Sequence, residues 1–196
     1  MTSPPEATGP RRRKRLVLWI ALSTAAAVAA LVAVLASSGP AGQASAGSPL
    51  IGRKAPPIEG KSVGQSASGG KSVQLSSYAG KWVLVNFAAS WCVPCRQEMP
   101  QLVSFAGAHA RSGDATVLMV EYDEGDLGGL TSWLRAAHAD WPAVDDGQAV
   151  VDYGVSGIPE SYLVDPEGTV VAKYLGGVVA AQLNAFITRS SSGATS

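Results

Sequence analysis

The stretch Trp91-Cys92-Val93-Pro94-Cys95 decides the fold of this chain. It contains the chain's 2 cysteines, which are separated by two residues. An apolar run over residues 81–87 comes directly before it, and a run typical of a helix, residues 96–102, comes directly after it. A Cys-x-x-Cys pair between a strand and a helix is the arrangement of a dithiol redox site. The stretch therefore predicts a strand–helix unit with a reactive cysteine pair at its junction.

The two cysteines are expected to have different roles. Cys92 begins the predicted helix, where free N–H groups and the helix dipole stabilise a thiolate, so it is the predicted nucleophile. Cys95 lies one turn inward and is the predicted resolving thiol, which breaks the mixed disulfide made by Cys92. The alternatives are a structural disulfide or half of a metal site. His109 follows Cys95 at a zinc-finger-like distance, but His138 lies too far along the chain to be the next ligand. We therefore predict no metal, with both histidines on solvated helix faces.

Hydrophobic patterning predicts the order βαβαββα after an N-terminal extension. The apolar run at 81–88 is nearly continuous, which is typical of a central strand buried on both faces. Further strands are predicted near 72–75, at 116–121 and in a hairpin over 161–174 that turns at 166–168. Helices are predicted at 93–109 with a kink at Pro100, at 127–139 and at 179–188. This order predicts an α/β fold with a mixed central sheet flanked by helices.

The N-terminal segment predicts a membrane anchor. Residues 1–15 form a basic segment with five Lys or Arg against one Glu, and residues 16–36 are an uncharged run of 21 residues. As a helix that run is about 30 Å long, the thickness of one hydrocarbon core. The basic flank predicts a cytoplasmic N-terminus and an extracytoplasmic remainder. The alternative is a signal peptide cleaved after Ala46, because Ala44-Ser45-Ala46 satisfies the cleavage pattern. Either reading exports the rest of the chain.

The remaining boundaries follow from composition. Residues 37–49 are small, uncharged and turn-prone, which predicts a flexible linker. Residues 50–190 form the predicted domain, and residues 191–196 a disordered tail. Residues 16–196 carry ten Lys or Arg against fourteen Asp or Glu, a net charge of −4. This balance argues against a nucleic-acid partner.

Two segments resemble a known family. Residues 83–100, which include the cysteine pair, and residues 153–165 resemble the membrane-anchored thioredoxin-like TlpA/ResA/DsbE (CcmG) family of thiol–disulfide oxidoreductases. The resemblance implies a thioredoxin fold over roughly residues 50–190 and a cis peptide bond at Ile158-Pro159 facing the disulfide. It departs at Ala88, where the family usually has tryptophan, and we expect this change to alter packing rather than chemistry.

The resemblance also nominates supporting residues. Glu98 lies three residues after Cys95, where the family implies a proton-relaying carboxylate, although an exposed helix glutamate is the common alternative. Asn86 stands where ordinary thioredoxin has a buried acid, and an amide cannot act as a base. Trp91 is expected to shield the disulfide and present a binding surface, or else to pack at a strand end. Pro94 is implied to tune the redox potential.

Glu160 follows the predicted cis-proline directly, as in the cytochrome-maturation branch, and it either selects substrate or is simply solvated. The backbone beside Pro159 is expected to pair with an extended client segment.

The sequence therefore predicts an extracytoplasmic, membrane-tethered thiol–disulfide oxidoreductase. Its expected partners are client proteins such as apocytochrome c and a membrane thiol electron donor, and no cofactor is expected beyond the Cys92–Cys95 pair. The enzymatic alternative is an oxidase or isomerase, because Cys-x-x-Cys chemistry runs in either direction according to potential. The non-enzymatic alternatives are a metal-site assembly chaperone and a redox-inert adhesion domain. A peroxidase is disfavoured because no isolated cysteine exists.

Overall fold

The computed structural model describes residues 17, 19–30, 47–63, 72–123, 125 and 127–193. The described residues up to 30 belong to one compact unit and those from 47 onward to another. In the first unit, residues 17 and 19–30 are helical. Within the described part of the chain, no helix has both the length and the apolarity needed to cross a membrane. The predicted basic segment, the linker up to residue 46, and residues 16, 18 and 31–36 of the predicted anchor lie outside the described residues.

The second unit is a mixed sheet with helices, as the patterning predicts. The strands are β1 (Glu59–Val63), β2 (Ser72–Gln74), β3 (Trp82–Ala88), β4 (Ala115–Glu121), β5 (Ala143–Val144), β6 (Glu160–Val164) and β7 (Val170–Leu175). The helices are α1 (Val93–His109), α2 (Leu127–Ala136), α3 (Gly147–Asp152) and α4 (Ala180–Gly193), with a 3₁₀ turn over Leu75–Tyr78. Over the described residues the sheet order is β2-β1-β5-β4-β3-β6-β7.

Strand β3 is central because its side chains are apolar on both faces. Val83, Val85 and Phe87 join one buried cluster, and Leu84 and Ala88 join the other. β3 pairs in parallel with β4 and antiparallel with β6. The prediction of a buried strand at 81–88 is confirmed, and the reason is that a strand with helices or loops on both faces has no solvated side to alternate with.

The helix α1 packs its apolar side into the core. Leu102 and Phe105 are buried in the same cluster as Leu183 of α4. Pro100 lies inside α1 and the helix continues through it to His109, which agrees with the predicted bounds. Because β3 ends immediately before α1 begins, the connection between them places the cysteine pair at the carboxyl end of the central strand.

Two helix ends differ from the prediction. α2 ends at Ala136 instead of residue 139, because His138 adopts a left-handed conformation with φ 54° and Ala139 donates its N–H to the carbonyl of Leu134. This closure is a Schellman motif, which usually uses glycine and so gives no signal here. His138 is therefore exposed after the helix and not on a helix face.

α4 continues to Gly193 and so includes residues 191–193 of the predicted tail. Its serine-rich end is helical with side-chain bonds to the preceding turn, such as Ser192 to the carbonyl of Thr188.

The short elements β1, β5 and α3 were not predicted. β1 contains polar residues and Gly60, where a Cβ atom would lie 2.5 Å from the carbonyl oxygen of Asp145. The glycine therefore permits the close approach of β1 to the segment after β5. β5 has 2 residues, too few to show any periodicity. The strands β1 and β5 form because they pair with each other and with the neighbouring strands β2 and β4.

Candidate active site

The cysteine pair lies at the start of α1. Cys92 is the N-cap residue in an extended conformation, and it forms a disulfide with Cys95 across a Cα–Cα distance of 5.3 Å. The sulfur of Cys92 accepts the backbone N–H of Cys95 at 3.2 Å. A sulfur in this position receives the free N–H groups of the first helical turn, which stabilise a thiolate. Pro94 lies in that first turn, where its missing N–H removes no helix hydrogen bond.

The loop before β6 faces the disulfide. The peptide bond between Ile158 and Pro159 is cis, which confirms the conformation implied by the family resemblance. The sulfur of Cys92 lies 3.8 Å from the carbonyl oxygen of Ile158. The carbonyl oxygen of Pro159 instead accepts the N–H of Gly176 beside β7. The loop thus sets a backbone carbonyl next to the sulfur that is expected to react.

Glu98 is buried, so the reading of an exposed helix carboxylate is wrong. The residue is 4% exposed. Its Oε1 accepts the backbone N–H of Val178 at 2.8 Å, and its Oε2 accepts the side-chain amide of Asn86 at 3.2 Å. Burial raises its pKa from 4.5 to about 7, while the hydrogen bonds from Val178 and Asn86 oppose that rise. A carboxyl group with this pKa exchanges protons near neutral pH.

Asn86 connects Glu98 to β6. It is completely buried in the central strand β3 and does not lie at the sheet edge. Its amide nitrogen donates to Oε2 of Glu98 and to the hydroxyl of Ser161 at 2.9 Å. Its Oδ1 is buried and has no hydrogen-bond partner among the described residues. The amide therefore has acceptor capacity left over beside the carboxyl group of Glu98.

Trp91 and Val93 give the disulfide an apolar exposed surround. Trp91 is 56% exposed and Val93 is 63% exposed. The indole N–H of Trp91 donates to the carbonyl of Asp123, which orients the ring. Trp91 is therefore not packed into the end of the strand, so that alternative is wrong, while its binding role stays a prediction. Exposed apolar side chains beside a reactive group are typical of a binding surface.

Glu160 is fully buried, so the reading of a solvated side chain is wrong. Its Oε1 pairs with Nζ of Lys173 at 2.8 Å and lies 2.7 Å from the hydroxyl oxygen of Tyr162. Successive side chains of a strand point to opposite faces, so Glu160 points away from the face on which Ser161 contacts Asn86. Glu160 and Ser161 therefore point to opposite sides of β6, and Ser161 is the one that connects through Asn86 to Glu98.

Sequence reasoning did not find Lys173, Ser161 or Val178. Lys173 lies on β7 and Ser161 on β6, and their partners are set by strand pairing. Val178 contributes a backbone N–H, for which no residue type is a signal. The register of β3, β6 and β7 was the only information that could have identified the two side chains, and local sequence does not contain it.

The histidines do not form a cluster with the cysteines. His109 bonds to Asp114 and Asn184 through its two ring nitrogens, and its side chain is 12% exposed, so the prediction of a solvated helix face is wrong for it. Across the described ranges, no group of three or more His, Cys, Asp or Glu is placed to hold a metal ion.

The chain is similar to known proteins over the domain that carries this site. The model of the AhpC/TSA family matches residues 51–173. Thiol-disulfide oxidoreductase ResA of Bacillus anthracis is 30% identical over 122 residues, covering 61% of this chain and 69% of the relative. The thiol:disulfide interchange protein DsbE homolog of Paracoccus denitrificans is 35% identical over 135 residues, with 67% and 70% covered. CycY of Rhizobium leguminosarum bv. viciae is 41% identical over 103 residues, with 50% and 51% covered.

Solved structures show the same fold. The thioredoxin domain of a thiol-disulfide oxidoreductase from Bacteroides vulgatus superposes with a TM-score of 0.62 at 30% identity, covering 71% of this chain and 99% of that domain. A protein from Chlorobium tepidum, described as thiol:disulfide interchange protein DsbE, gives 0.60 at 30% identity, with 69% and 94% covered. The predicted thioredoxin-like fold is confirmed.

Proposed function

We propose, since this chain belongs to the AhpC/TSA family and is a thiol–disulfide oxidoreductase, that it reduces disulfides in extracytoplasmic client proteins such as apocytochrome c before haem attachment. The observation that carries the proposal is the Cys92–Cys95 disulfide at the start of α1, with the carbonyl of Ile158 3.8 Å from the Cys92 sulfur. The choice of client is supported by the resemblance of residues 157–160 and Glu98 to the cytochrome-maturation branch.

The exchange takes place in two displacements. The thiolate of Cys92 attacks one sulfur of the client disulfide, which forms a mixed disulfide and releases the other client sulfur as a thiolate. The thiolate of Cys95 then attacks the Cys92 sulfur, which closes the Cys92–Cys95 disulfide and releases the second client thiolate. Two electrons pass to the client. A membrane thiol donor restores the dithiol by the same exchange, so no bound cofactor is required.

Glu98 is the proposed proton acceptor for Cys95. It lies one helical turn from Cys95, is buried and has a pKa of about 7. The thiol of Cys95 must lose its proton before it attacks, and a buried carboxylate that titrates near neutral pH is suited to receive it. A Glu98 carboxylate that stayed ionised would instead oppose formation of the Cys95 thiolate. The uptake of the proton by Glu98 therefore couples to the resolving step.

The client is proposed to lie along the loop that contains Ile158. Its carbonyl oxygen is available to an extended chain, and such edge pairing holds a peptide by main-chain hydrogen bonds. The exposed side chains of Trp91 and Val93 supply the neighbouring apolar surface. In this proposal the client disulfide lies next to Cys92 and is held by main-chain pairing, which suits protein substrates of differing sequence.

Membrane attachment is proposed from the sequence. The 21 uncharged residues 16–36 follow the basic cluster at 11–15, which supports a single-pass anchor with an extracytoplasmic domain.

The direction of exchange is tested with the full-length protein in detergent. The reduced protein is mixed with an oxidised Cys-x-x-Cys-His peptide, and the oxidised protein is mixed with the reduced peptide. We expect electrons to pass to the peptide in the first reaction and little peptide oxidation in the second. A variant with both Cys92 and Cys95 replaced by Ser is the control. If the oxidised protein instead converts the reduced peptide to its disulfide at equilibrium, the chain is an oxidase and the proposal is wrong.

A further inference from the structure

A buried polar network lies on the side of β6 that does not contact Glu98. The carboxylate of Glu160 is 0% exposed and pairs with Lys173 of β7, whose side chain is 10% exposed. The hydroxyl of Tyr162 lies 2.7 Å from the same carboxylate oxygen, and the Lys173 ammonium lies 5.2 Å from the centre of the Tyr162 ring. Buried charges are stable only when their hydrogen bonds are satisfied, so this network has a narrowly defined geometry.

The network contacts one loop, residues 154–159, here called the Ile158 loop, at the residue before it and in its middle. At the start of the loop, the hydroxyl of Tyr162 lies 2.6 Å from the carbonyl oxygen of Tyr153 and donates to it. Within the loop, the backbone N–H and the hydroxyl of Ser156 donate to Oε2 of Glu160, each at 3.4 Å. Ile158, whose carbonyl faces Cys92, lies between Ser156 and Glu160, the two residues that these hydrogen bonds join. The position of the Ile158 carbonyl therefore depends on the side chains of Glu160 and Tyr162.

Lys173 keeps the network charged. Its burial disfavours the ammonium form, but the hydrogen bonds to Glu160 and Tyr162 outweigh burial and raise its pKa. Tyr162 keeps its proton because burial raises the pKa of its phenol. In the described structure, none of the hydrogen bonds made by Glu160, Tyr162 and Lys173 goes to either cysteine. Any effect of the network on exchange must then pass through the loop.

We propose that Tyr162 and Lys173 are positioning residues that hold the Ile158 loop in the geometry required to bind a client polypeptide. They control exchange with protein and peptide disulfides and leave exchange with small disulfides unchanged. The inference rests on the proposed function in one respect, namely that the client backbone pairs along this loop. A small disulfide needs only the Cys92 sulfur, whereas an extended peptide also needs the Ile158 carbonyl in place.

The experiment uses Tyr162→Phe in the full-length protein, which removes the hydroxyl with almost no change in volume. The reduced protein is mixed with glutathione disulfide and, separately, with an oxidised Cys-x-x-Cys-His peptide. We expect KM for the peptide to rise about tenfold, equivalent to the loss of ~1.4 kcal/mol. The rate with glutathione disulfide should stay within about twofold of the parent.

Tyr174→Phe is the matched control, because Tyr174 is a buried tyrosine on β7 that belongs to the opposite core cluster. It should leave both reactions unchanged. Lys173→Met is the second variant and should show the same separation of substrates. It provides the measurement if Tyr162→Phe fails to fold.

Three outcomes would overturn the inference. The first is an unchanged peptide KM in the folded variants. The second is an equal slowing of both reactions, which indicates general disruption of the site. The third is an equal effect of Tyr174→Phe. A parent protein that fails to reduce the peptide at all would overturn the proposed function itself, whereas an active parent with an unaffected Tyr162→Phe variant would overturn only the role of the network.

Discussion

Asn86 donates its side-chain amide to the carboxylate of Glu98 at 3.2 Å, and both residues are almost completely buried. An amide cannot accept a proton at neutral pH, so the two residues do not compete for the role of base. Asn86 instead stabilises the charged form of Glu98 and opposes the effect of burial on its pKa. The pKa of about 7 is the balance between burial, which raises it, and the hydrogen bonds from Val178 and Asn86, which lower it.

Glu98→Gln should remove a pH dependence of stability. The folded-state pKa of Glu98 is about 7 against an ordinary value of 4.5, so the folded protein binds this proton more tightly than the unfolded chain. Stability from this group is complete below pH 4.5 and is lost as the pH rises to 7, by about 3 kcal/mol in total. The Gln variant has no such proton. The side-chain NH2 of its glutamine can donate to Oδ1 of Asn86 if the Asn86 amide group rotates by half a turn.

Urea unfolding of the disulfide form at several pH values between 4 and 8 measures this effect. Glu167→Gln serves as the control, because Glu167 is an exposed carboxylate. The parent and Glu167→Gln should lose stability over this range, while Glu98→Gln should lose less. Identical pH profiles for the parent and Glu98→Gln would show that burial does not raise the pKa of Glu98 in the folded protein.

Asn86→Leu should raise the pKa of Glu98 further. The substitution keeps the branching and the number of heavy atoms of the side chain and removes the hydrogen bond that favours the carboxylate. If Glu98 accepts the proton of Cys95, the midpoint of the pH dependence of disulfide exchange should move upward. The measurement is the rate of glutathione disulfide reduction between pH 5 and 9.

Ser161→Ala is the control for Asn86→Leu. It removes the other acceptor of the Asn86 amide and leaves the contact to Glu98 in place. Its midpoint should move less than that of Asn86→Leu. A pH midpoint that is the same in the parent, Asn86→Leu and Ser161→Ala would show that Glu98 does not accept a proton in the exchange reaction.

Cys95→Ser should accumulate a mixed disulfide. Cys92 at the N-cap can still attack, but no thiol is left to resolve the adduct. Mass spectrometry after incubation with glutathione disulfide should show one glutathione on Cys95→Ser and none on Cys92→Ser. Faster alkylation of Cys95 than of Cys92 in the reduced parent at neutral pH would reverse the assignment of the two roles.

The full-length protein should remain in membranes after alkaline carbonate extraction. In the proposed topology, the uncharged residues 16–36 are the anchor and the basic cluster at 11–15 keeps the N-terminus cytoplasmic. Protease added from outside should then digest the domain. Recovery of a soluble form that begins at Gly47 would identify the segment as a cleaved signal peptide.

The central part of the fold could be predicted from the sequence because its signals are local. The apolar run of β3, the cysteine pair and the helix after it lie within a few residues of one another, and each depends on hydrophobic pattern or helix-terminus chemistry. The α2 end and the strands β1 and β5 could not be predicted, because a left-handed histidine and very short strands have no strong local pattern. The cis peptide bond came from the family resemblance and not from residue preference, which favours trans.

By itself, the sequence determined that this protein has a redox-active cysteine pair at the junction of a buried strand and a helix. Only the tertiary structure decided what surrounds that pair. The proton affinity of Glu98 depends on an N–H from Val178, which lies 80 residues away, and the ion pair of Glu160 depends on the register of β6 against β7. Burial raises the pKa of a carboxyl group only when distant segments close around it, and strand register is set by the packing of the whole sheet.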